Sequence, residues 1–432
     1  MYICDNVNVN EKGNLTFAGQ DTLELAAKYG TPLYIMDEEK IRFNCNIYKN
    51  AFKKYFGDNA LPLFASKAAS FKRLYEIMKD EKMGIDVVSS GEIYTALKAG
   101  FSLENAYFHS NNKTDKDIEF AIENKIGYFV VDNIEELKRI NYEAEKQGIT
   151  QKVLLRITPG IDPHTFEAIS TGKVDSKFGS AIETGQAEKI TEEALKMSFV
   201  DLSGFHCHIG SQIFETEPFY KAVAVMLDFI GSIKTKLGFT AKQLNLGGGY
   251  GVRYTENDPV FDIDGSIKNV AQFIKEKSAE IGIEVPKILM EPGRSIVGNA
   301  GMTLYTAGTV KIIPGFKSYV SIDGGMTDNP RYALYKSAYT VINASKADKT
   351  ADFNCSVVGR CCESGDIIQE NIMLPQTGRG DIIAVLTTGA YNYSMASNYN
   401  RIGKPPVVML NKGANYIAVK GETLEDIVRN DI

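Results

Sequence analysis

Apolar segments alternate with helical patterns over residues 61–294, and this alternation restricts the fold more than any other feature of the sequence. Each apolar segment predicts a short buried strand, and a stretch with helical periodicity follows it. Near-continuous apolar strands that alternate with helices are typical of parallel strands covered on the outside. The eight units predict an α/β fold, a (β/α)8 TIM-type barrel, with strand segments at 61–70, 84–92, 106–110, 127–132, 152–160, 202–211, 243–251 and 286–294.

Polar residues stand at the ends of these segments, and their number favours a closed barrel. In a barrel the active site lies at the carboxyl ends of the strands. An open, doubly wound sheet also binds ligands at strand ends, but only at one switch point. Most of the segments end in polar groups, namely Lys67, Asp86, His109, Arg156, His206, His208, Gly247 to Gly249, Glu291 and Arg294.

The pattern changes at about residue 301, where short β-branched runs separated by Gly, Pro and Asp replace the helical periodicity. This change predicts a second, mainly antiparallel β domain. The N-terminal stretch NLTFAGQ (14–20) has the same character and is expected to join that domain. We therefore expect a barrel at 35–300 and a β domain made of 1–34 and 301–432.

Composition and charge restrict the partners. Acidic and basic residues are interspersed and give a net charge of −6, so no basic face for nucleic acid is visible. No apolar run approaches the about 18 residues of a membrane span, and the N-terminal residues lack a signal-peptide pattern. The six cysteines include no C-x-x-C pair, which predicts reduced thiols and no metal site. We expect a cytoplasmic protein with a small-molecule partner.

A lysine and a glycine cluster suggest a cofactor. Lys67 ends the apolar run LPLFA, but lysines at strand ends are usually solvated, so this position needs further support. The loop GGGYGV has Val252 where a dinucleotide fingerprint requires glycine. Loops after the seventh and eighth barrel strands commonly bind phosphate on backbone N–H groups, although a tight turn alone would explain one or two glycines. A phosphate site with a strand-end lysine predicts pyridoxal 5′-phosphate (PLP) held as a Schiff base.

Seven motifs resemble one enzyme family. They are FASKA, GFHCHIGSQ, NLGGGYG, EPGR, DGGMTDNPRYALY, CCESGD and GAYNYSMASNYN, and they extend over residues 64–400. In this order they are similar to the diaminopimelate decarboxylases, in the barrel-plus-β-domain class shared with alanine racemase and eukaryotic ornithine decarboxylase. The resemblance implies decarboxylation of meso-2,6-diaminopimelate to L-lysine and carbon dioxide, the last step of lysine biosynthesis, with PLP as the cofactor.

The resemblance also implies cofactor contacts. Lys67 matches the lysine that forms the Schiff base, where burial and a neighbouring cation are expected to lower its pKa. Glu291 matches the carboxylate that pairs with the pyridine nitrogen; the alternative is an ion pair with Arg294. His208 matches the imidazole stacked on the cofactor ring. The other implied contacts are Asp86, Arg156, Ser211, Gly248, Gly249, Pro292, Gly293, Arg294 and Tyr391.

Several of these residues have a plainer interpretation. Asp86 and Arg156 match groups that orient the ring histidine and the cofactor, yet each is equally well explained as an ordinary ion-pair partner. His206 lies on a buried strand, and we interpret it as a hydrogen-bonded core residue. Racemases of this class have arginine as the ring partner, so Glu291 favours decarboxylation.

The implied substrate contacts depend on charge. Diaminopimelate has an amino-acid zwitterion at its far end, which needs cations for the carboxylate and an anion for the ammonium group. The planar fork of arginine suits a carboxylate. The family usually has proline after the arginine that matches Arg331; here Tyr332 follows and Pro330 precedes it. The implied substrate ligands are Arg294, Arg331, Tyr335, Glu363 and Tyr391.

Cys362 matches the thiol that returns a proton to the substrate carbon. In the family this thiol and the counterpart of Tyr391 enter the site of the neighbouring subunit, which implies a head-to-tail homodimer with shared active sites. For an adjacent pair such as Cys361 and Cys362 in a β domain, buried inert thiols would otherwise be the ordinary interpretation.

Two other functions stay open. A related PLP decarboxylase of another basic or carboxylated amine, such as carboxynorspermidine or ornithine, would keep Lys67, Glu291 and Cys362 and change the distal pocket. A non-catalytic PLP-binding barrel would bind the cofactor without chemistry, but such proteins lack the β domain that follows residue 301.

Overall fold

The computed structural model describes residues 3–161 and 175–432, which form two compact units. The barrel unit consists of Cys45–Gly251 and Phe261–Gly293. The β unit contains the chain up to Asn44, together with Val252–Val260 and Arg294–Ile432. The compact units therefore differ from the expected division at 35 and 300, because a strand near residue 35 and a loop after residue 251 both pack in the β unit.

Eight parallel strands within the described residues form the closed barrel predicted from the sequence. Each strand pairs with its successor, and Ile288 of the last strand pairs with Ala60 of the first, which closes the sheet. A further short strand, Ser180–Ala181, pairs with the end of the fifth barrel strand. The barrel strands are β1 Ala60–Ala65, β2 Gly84–Val87, β3 Ala106–Phe108, β4 Tyr128–Val131, β5 Gln151–Thr158, β6 Val200–His206, β7 Gln243–Asn245 and β8 Lys287–Met290.

Helices follow the first seven barrel strands, as the sequence predicts. Side-chain caps fix several of their first turns: Thr114 and Asp117 form a reciprocal capping box, and Asn133 and Asp262 accept from backbone N–H groups. Each cap stabilises a helix by about 1 kcal/mol. The helices are Lys72–Asp80, Ser90–Lys98, Asp115–Glu123, Ile134–Lys146, Gln186–Lys196, Glu217–Leu237 and Ile263–Glu280, and the helix Glu38–Phe56 precedes β1.

Side chains fill the barrel interior, so it is a packed core and not a pore. The rings of Tyr107 and Tyr128 stack with centroids 4.4 Å apart, and the Tyr107 hydroxyl donates to Gln243. The apolar members of this cluster come from five different strands, which ties the strands together through their side chains. They are Leu63, Tyr107, Val130, Leu154 and Leu289.

The β unit is built on a mainly antiparallel sheet, as predicted. Its long central strand, Gly301–Ile313, pairs with Leu33–Asp37, Lys317–Ile322 and Ile382–Leu386. Two of its strand pairs are parallel. The predicted stretch 14–20 contributes Leu15–Phe17 to the core of this unit but pairs in a separate small sheet. The remaining strands are Val7–Val9, Gln20–Asp21, Val341–Asn343, Phe353–Val358, Ile367–Leu374, Val407–Asn411 and Ala414–Val419.

The short helices of the β unit are Thr22–Tyr29, Arg294–Val297, Arg331–Tyr335 and Leu424–Val428. Asp21 caps the first of them by accepting from Leu23 and Glu24 backbone N–H groups. None of the helices in the described ranges, 3–161 and 175–432, has the length and apolar character that crossing a membrane requires.

Candidate active site

The carboxyl ends of the barrel strands carry the polar residues that the sequence analysis selected. Lys67 lies in a single 3-10 turn, Ser66–Ala68, directly after β1. Its charge acts on Asp86, in β2, and on His208, beyond β6, so the three groups share one end of the barrel. The expectation that Lys67 is buried is wrong: its neighbours Ser66 and Ala68 are buried, but the turn leaves Lys67 exposed.

Glu291, directly after β8, is the centre of a buried hydrogen-bonded group. Asn245 Nδ2, at the end of β7, donates to Glu291 Oε1 over 2.7 Å. His109 Nε2 lies 2.8 Å from the same oxygen, and His206 Nε2 lies 3.4 Å from Oε2. Four strands therefore hold one carboxylate in a fixed position inside the barrel mouth.

The electrostatics of this group keep Glu291 charged. Burial alone would raise the pKa of Glu291, but His109 and His206 outweigh it and hold that pKa well below its usual range. Burial lowers the pKa of His206 to about 4, while the charge of Glu291 acts in the opposite direction. His206 is thus the buried, hydrogen-bonded histidine that we expected, and its partner is Glu291.

Asp86 and Arg156 lie in the same end of the barrel. Asp86 Oδ1 is 3.9 Å from His109 Nε2, and Arg156 Nη1 is 4.0 Å from Asp132 Oδ1. Burial raises the pKa of Asp86 while His109 acts in the opposite direction. Asp86 Oδ1 is buried and has no hydrogen-bond partner in the described part of the chain. A buried polar atom of this kind is costly unless a further group satisfies it.

His208 is joined to the glycine loop after β7. Its Nδ1 accepts a hydrogen bond from Gly248 N at 3.2 Å. Burial, and then the charges of Lys67 and Arg156, lower the pKa of His208 well below its usual range, so the ring is neutral. A neutral imidazole with a fixed acceptor nitrogen presents an uncharged aromatic face.

Close packing between loops requires each of the three adjacent glycines. A Cβ at Gly248 would lie 2.3 Å from the carbonyl oxygen of Glu291. Gly247 and Gly249 have φ values of 70° and 127°, which side chains disfavour. Contacts with neighbouring backbone are therefore enough to require these glycines, and phosphate binding by this loop stays a prediction. Ser211, in the segment after β6, is half-buried.

The EPGR loop after β8 packs against the end of β1. Ala65 N donates to the Pro292 carbonyl at 3.1 Å, and a Cβ at Gly293 would lie 2.9 Å from the Ala65 methyl group. Glycine at 293 therefore lets this loop approach the strand that leads to Lys67. This hydrogen bond and this packing keep Glu291, after β8, and Lys67, after β1, at the ends of neighbouring strands.

The β unit holds two buried arginines around one tyrosine. Arg294 Nη1 and Arg331 Nη1 donate to Tyr254 Oη at 2.6 and 3.1 Å. The Tyr391 ring lies against both guanidinium groups, with its centroid 4.7 Å from Arg294 Cζ and 5.8 Å from Arg331 Cζ. Such cation–π contacts add stability when the cation is desolvated. Of the predicted substrate ligands, three are therefore in contact here.

Tyr391 adopts an unusual backbone conformation. Its φ is 60°, in the left-handed region that a bulky side chain rarely adopts. The next residue supports it: Asn392 is fully buried, and its Nδ2 donates to the Thr388 carbonyl at 3.1 Å. Strained residues of this kind cluster at functional sites, where the surroundings hold them in place.

The family's usual proline after Arg331 is replaced without loss of local order. Pro330 directly precedes the helix Arg331–Tyr335, where a backbone N–H is not needed for a helical hydrogen bond. Tyr332 is buried and its hydroxyl donates to Glu370 at 2.7 Å. Tyr335 is half-buried and follows Arg331 at the spacing of one helical turn.

The two adjacent cysteines differ in environment. Cys361 is buried, and burial raises its pKa to about 11, so it stays a protonated thiol. Cys362 is exposed, and so is Glu363. Asp366 fixes this loop by accepting from the backbone N–H groups of Cys361 and Met326. The sequence position that we selected is therefore the accessible thiol of the pair.

The residues at the barrel mouth fit PLP. A charged, buried carboxylate suits a protonated pyridine nitrogen, and the neutral ring of His208 suits stacking on an aromatic cofactor. Lys67 supplies a primary amine at the same strand ends, and the unsatisfied Asp86 Oδ1 leaves an acceptor for a further polar group. The chemistry of this donor set is that of a PLP site.

The fold and this site define a barrel enzyme of the PLP-dependent class, and comparison with known proteins agrees. Residues 39–298 match the family of pyridoxal-dependent decarboxylases, in its pyridoxal binding domain. The chain belongs to this family, and its full-length relatives are diaminopimelate decarboxylases. PLP is therefore its cofactor, and the enzyme is a PLP-dependent carboxy-lyase.

Three relatives illustrate the match. The diaminopimelate decarboxylase of Bacillus subtilis (strain 168) is 43% identical over 432 residues, which cover 100% of this chain and 98% of that protein. That of Bacillus methanolicus is 45% identical over 97% of both chains. The crystal structure of the diaminopimelate decarboxylase from M. jannaschii, in complex with L-lysine, has a TM-score of 0.91 at 35% identity and covers 100% of this chain and 99% of that one.

Sequence reasoning did not assign three residues that the structure places in these groups. His109 was noted only as a polar strand end, although it lies 2.8 Å from Glu291. Asn245 and Tyr254 were not selected at all. Asn245 could have been found, because it is a polar residue at the end of an apolar strand; the segment VRYTEN around Tyr254 has no such signal.

Proposed function

We propose that the protein decarboxylates meso-2,6-diaminopimelate to L-lysine and carbon dioxide, the last step of lysine biosynthesis. The observation that carries this proposal is the pair of buried arginines, Arg294 and Arg331, on the single oxygen of Tyr254. Two buried guanidinium groups suit a carboxylate, and the far end of diaminopimelate carries one. The names of the full-length relatives support the same substrate.

The barrel-mouth residues hold the cofactor in this proposal. Lys67 binds it through its amine, and His208 supports its ring. Ser211, Gly248, Gly249, Pro292, Gly293, Arg294 and Tyr391 surround its phosphate, and Asp86 and Arg156 orient the groups that touch it. When bound, PLP accepts the electron pair left on the substrate carbon as carbon dioxide departs.

Glu291 keeps a proton on the pyridine nitrogen. Its carboxylate is ionised because its pKa lies well below the usual range. Asn245, His109 and His206 fix both carboxylate oxygens, so the negative charge of Glu291 is already oriented before a ligand binds. A preorganised charge of this kind costs no rearrangement during the reaction.

The distal end of the substrate is bound by charge. Arg294 and Arg331 bind the carboxylate, with Tyr335 and Tyr391 beside them, and Glu363 accepts from the ammonium group. An enzyme for ornithine would need acidic groups in place of the two arginines, since its substrate ends in an amine alone. The buried arginine pair therefore favours diaminopimelate over a simple diamine precursor.

Cys362 returns the proton. Its thiol delivers the Sγ proton to the carbon that has lost carbon dioxide, while Cys361 is excluded by burial. Because Cys362 is exposed on its own chain, we propose that it acts in the site of a second subunit, in a head-to-tail homodimer with shared sites. Tyr391, for which the resemblance implied the same role, contacts Arg294 and Arg331 of its own chain. We also propose a cytoplasmic location, since none of the six cysteines forms a disulfide in the structure.

Arg331→Ala tests the substrate assignment. We expect KM for meso-diaminopimelate to rise by roughly 30- to 1000-fold, about 2–4 kcal/mol, because one charge-assisted hydrogen bond is lost and a carboxylate is left without its partner. Steady-state kinetics with the PLP-loaded enzyme measure this. Arg379→Ala, which removes an exposed arginine of the same unit, is the matched control and should leave KM unchanged. An unchanged KM for meso-diaminopimelate in Arg331→Ala would refute the assignment.

A further inference from the structure

One tyrosine oxygen joins the two buried arginines of the β unit. Tyr254 Oη accepts from Arg294 Nη1 at 2.6 Å and from Arg331 Nη1 at 3.1 Å. The exposed fractions of the three residues are 5%, 5% and 4%, in the order Tyr254, Arg294 and Arg331. Water therefore has little access to the two guanidinium groups, and the phenol oxygen is an acceptor that they share.

The backbone of Tyr254 is fixed independently of the arginines. Asp258 Oδ2 accepts from Tyr254 N at 2.8 Å. The Tyr254 carbonyl accepts from Thr340 N at 3.0 Å and from Thr340 Oγ1 at 2.8 Å. Its ring packs edge-on against Tyr339, with centroids 5.3 Å apart. The phenol is thus a fixed point to which the two longer, more flexible arginine side chains are drawn.

The charges of the three groups depend on one another. Two guanidinium groups repel each other, and burial strengthens this repulsion because it removes water. Burial would raise the pKa of Tyr254, but Arg294 and Arg331 outweigh it and lower that pKa below its usual value. Tyr254 in turn raises the pKa of Arg331 against the effect of burial. The phenol oxygen therefore stabilises both cations.

Arg331 still has an unused donor. Its Nη2 donates to Ser337 Oγ at 3.1 Å, while its Nε is buried and has no hydrogen-bond partner among the described residues. A buried N–H without a partner costs free energy until an acceptor arrives. A carboxylate ligand offers an oxygen that can accept from Arg331 Nε, and its negative charge offsets the repulsion between the two guanidinium groups.

We propose that Tyr254 is the positioning residue that makes this arginine pair specific for a carboxylate ligand. This inference rests on the proposed function, since it concerns the same substrate group. Tyr254 holds one N–H of each guanidinium group on its oxygen, so that the other N–H groups are presented together. Without Oη the two cations move apart, and a single carboxylate no longer meets both.

The experiment compares two ligands that differ by one carboxylate. L-lysine carries the carboxylate, and cadaverine is the same diamine without it. PLP-loaded wild type and Tyr254→Phe are titrated with each ligand by calorimetry. We expect Tyr254→Phe to bind L-lysine roughly 10- to 100-fold more weakly and cadaverine within about threefold of wild type, because only the carboxylate depends on the arginine pair.

Kinetics supply a second readout. In Tyr254→Phe, KM for meso-diaminopimelate should rise by the same factor as the dissociation constant of L-lysine, with kcat within about threefold of wild type. The visible absorption of the bound cofactor should not change. A purely structural role would weaken both ligands alike, so an equal loss for L-lysine and cadaverine would overturn the proposal.

Two further variants keep the test decisive. Tyr29→Phe is the matched control, because it removes another hydrogen-bonded phenol of the β unit, which donates to Asn415, and it should leave L-lysine binding unchanged. If Tyr254→Phe does not fold, Tyr254→His, which keeps an aromatic ring, is titrated in its place and should show the same preferential loss of L-lysine. Wild-type affinity for L-lysine in Tyr254→Phe or in Tyr254→His would overturn the proposal.

The outcomes also separate this inference from the proposed function. If the wild-type enzyme decarboxylates meso-diaminopimelate and Tyr254→Phe binds L-lysine normally, the proposed function stands and the role of Tyr254 fails. If the wild-type enzyme does not decarboxylate meso-diaminopimelate, the proposed function fails. In that case the comparison of L-lysine with cadaverine still shows whether Tyr254 controls the binding of a carboxylate.

Discussion

Lys67→Ala is expected to abolish the visible absorption of the bound cofactor and to lower kcat on the order of a thousandfold or more. Lys67 is exposed at the end of β1, in the turn Ser66–Ala68, and its charge acts on Asp86 and His208. No other lysine was selected at a barrel strand end. The absorption spectrum of the purified variant, after dialysis against cofactor-free buffer and reloading with PLP, measures the effect.

The control for Lys67→Ala is Lys116→Ala, on the exposed first turn of the helix Asp115–Glu123. This variant removes a lysine from the same unit and should keep both the absorption band and the activity. A Lys67→Ala protein that kept the band through dialysis and reloading would show that another amine binds the cofactor. The assignment of the strand-end lysine would then be wrong, even with the fold unchanged.

A mixture of Lys67→Ala and Cys362→Ala proteins should recover activity that neither has alone. If the two groups come from different subunits of one site, a mixed dimer has one site with both wild-type groups. Random pairing makes half of the dimers mixed, and each has one intact site of two. Activity should therefore return to roughly a quarter of wild type, as the two-fold symmetry of such a dimer requires.

Barrel residues provide the matched negative control for this mixture. Lys67 and Glu291 both lie in the barrel unit, on strands whose ends are joined by the Ala65–Pro292 hydrogen bond. Lys67→Ala mixed with Glu291→Gln should stay inactive, because each site of a mixed dimer then carries a lesion. If the first mixture exchanges subunits, as native mass spectrometry can verify, and yet stays inactive, Cys362 does not act across subunits.

The barrel could be predicted because buried parallel strands leave a clear trace in a sequence. Strands such as β4 and β8 are almost entirely apolar and stand out as continuous runs, and the helices between the barrel strands keep their own period. The strand Ile367–Leu374 left no such trace, because Gln369, Glu370 and Asn371 interrupt it and much of it is solvated. The strand Leu33–Asp37 is also apolar, but its sequence does not show which sheet it joins. That depends on its pairing with Gly301–Ile313, which is distant in the chain.

The sequence predicted which residues form the candidate site better than it predicted which of them contact one another. Glu291 was selected as a polar group at the end of an apolar strand, and the resemblance to the family implied Arg331. They did not reveal that Glu291 pairs with His109 and Asn245, since those contacts depend on which strands face each other across the barrel. The position of Tyr254 between two arginines likewise follows from folding of the 252–260 loop into the β unit.

The most direct test of the central claim is carbon dioxide release by the PLP-loaded protein from a panel of substrates. The panel contains meso-diaminopimelate, L-ornithine, L-lysine and carboxynorspermidine, at equal concentrations. We predict release from meso-diaminopimelate with one equivalent of L-lysine formed, and no comparable release from the other three. Preferential release from L-ornithine or carboxynorspermidine, or bound cofactor with no release from any substrate, would contradict the proposed function.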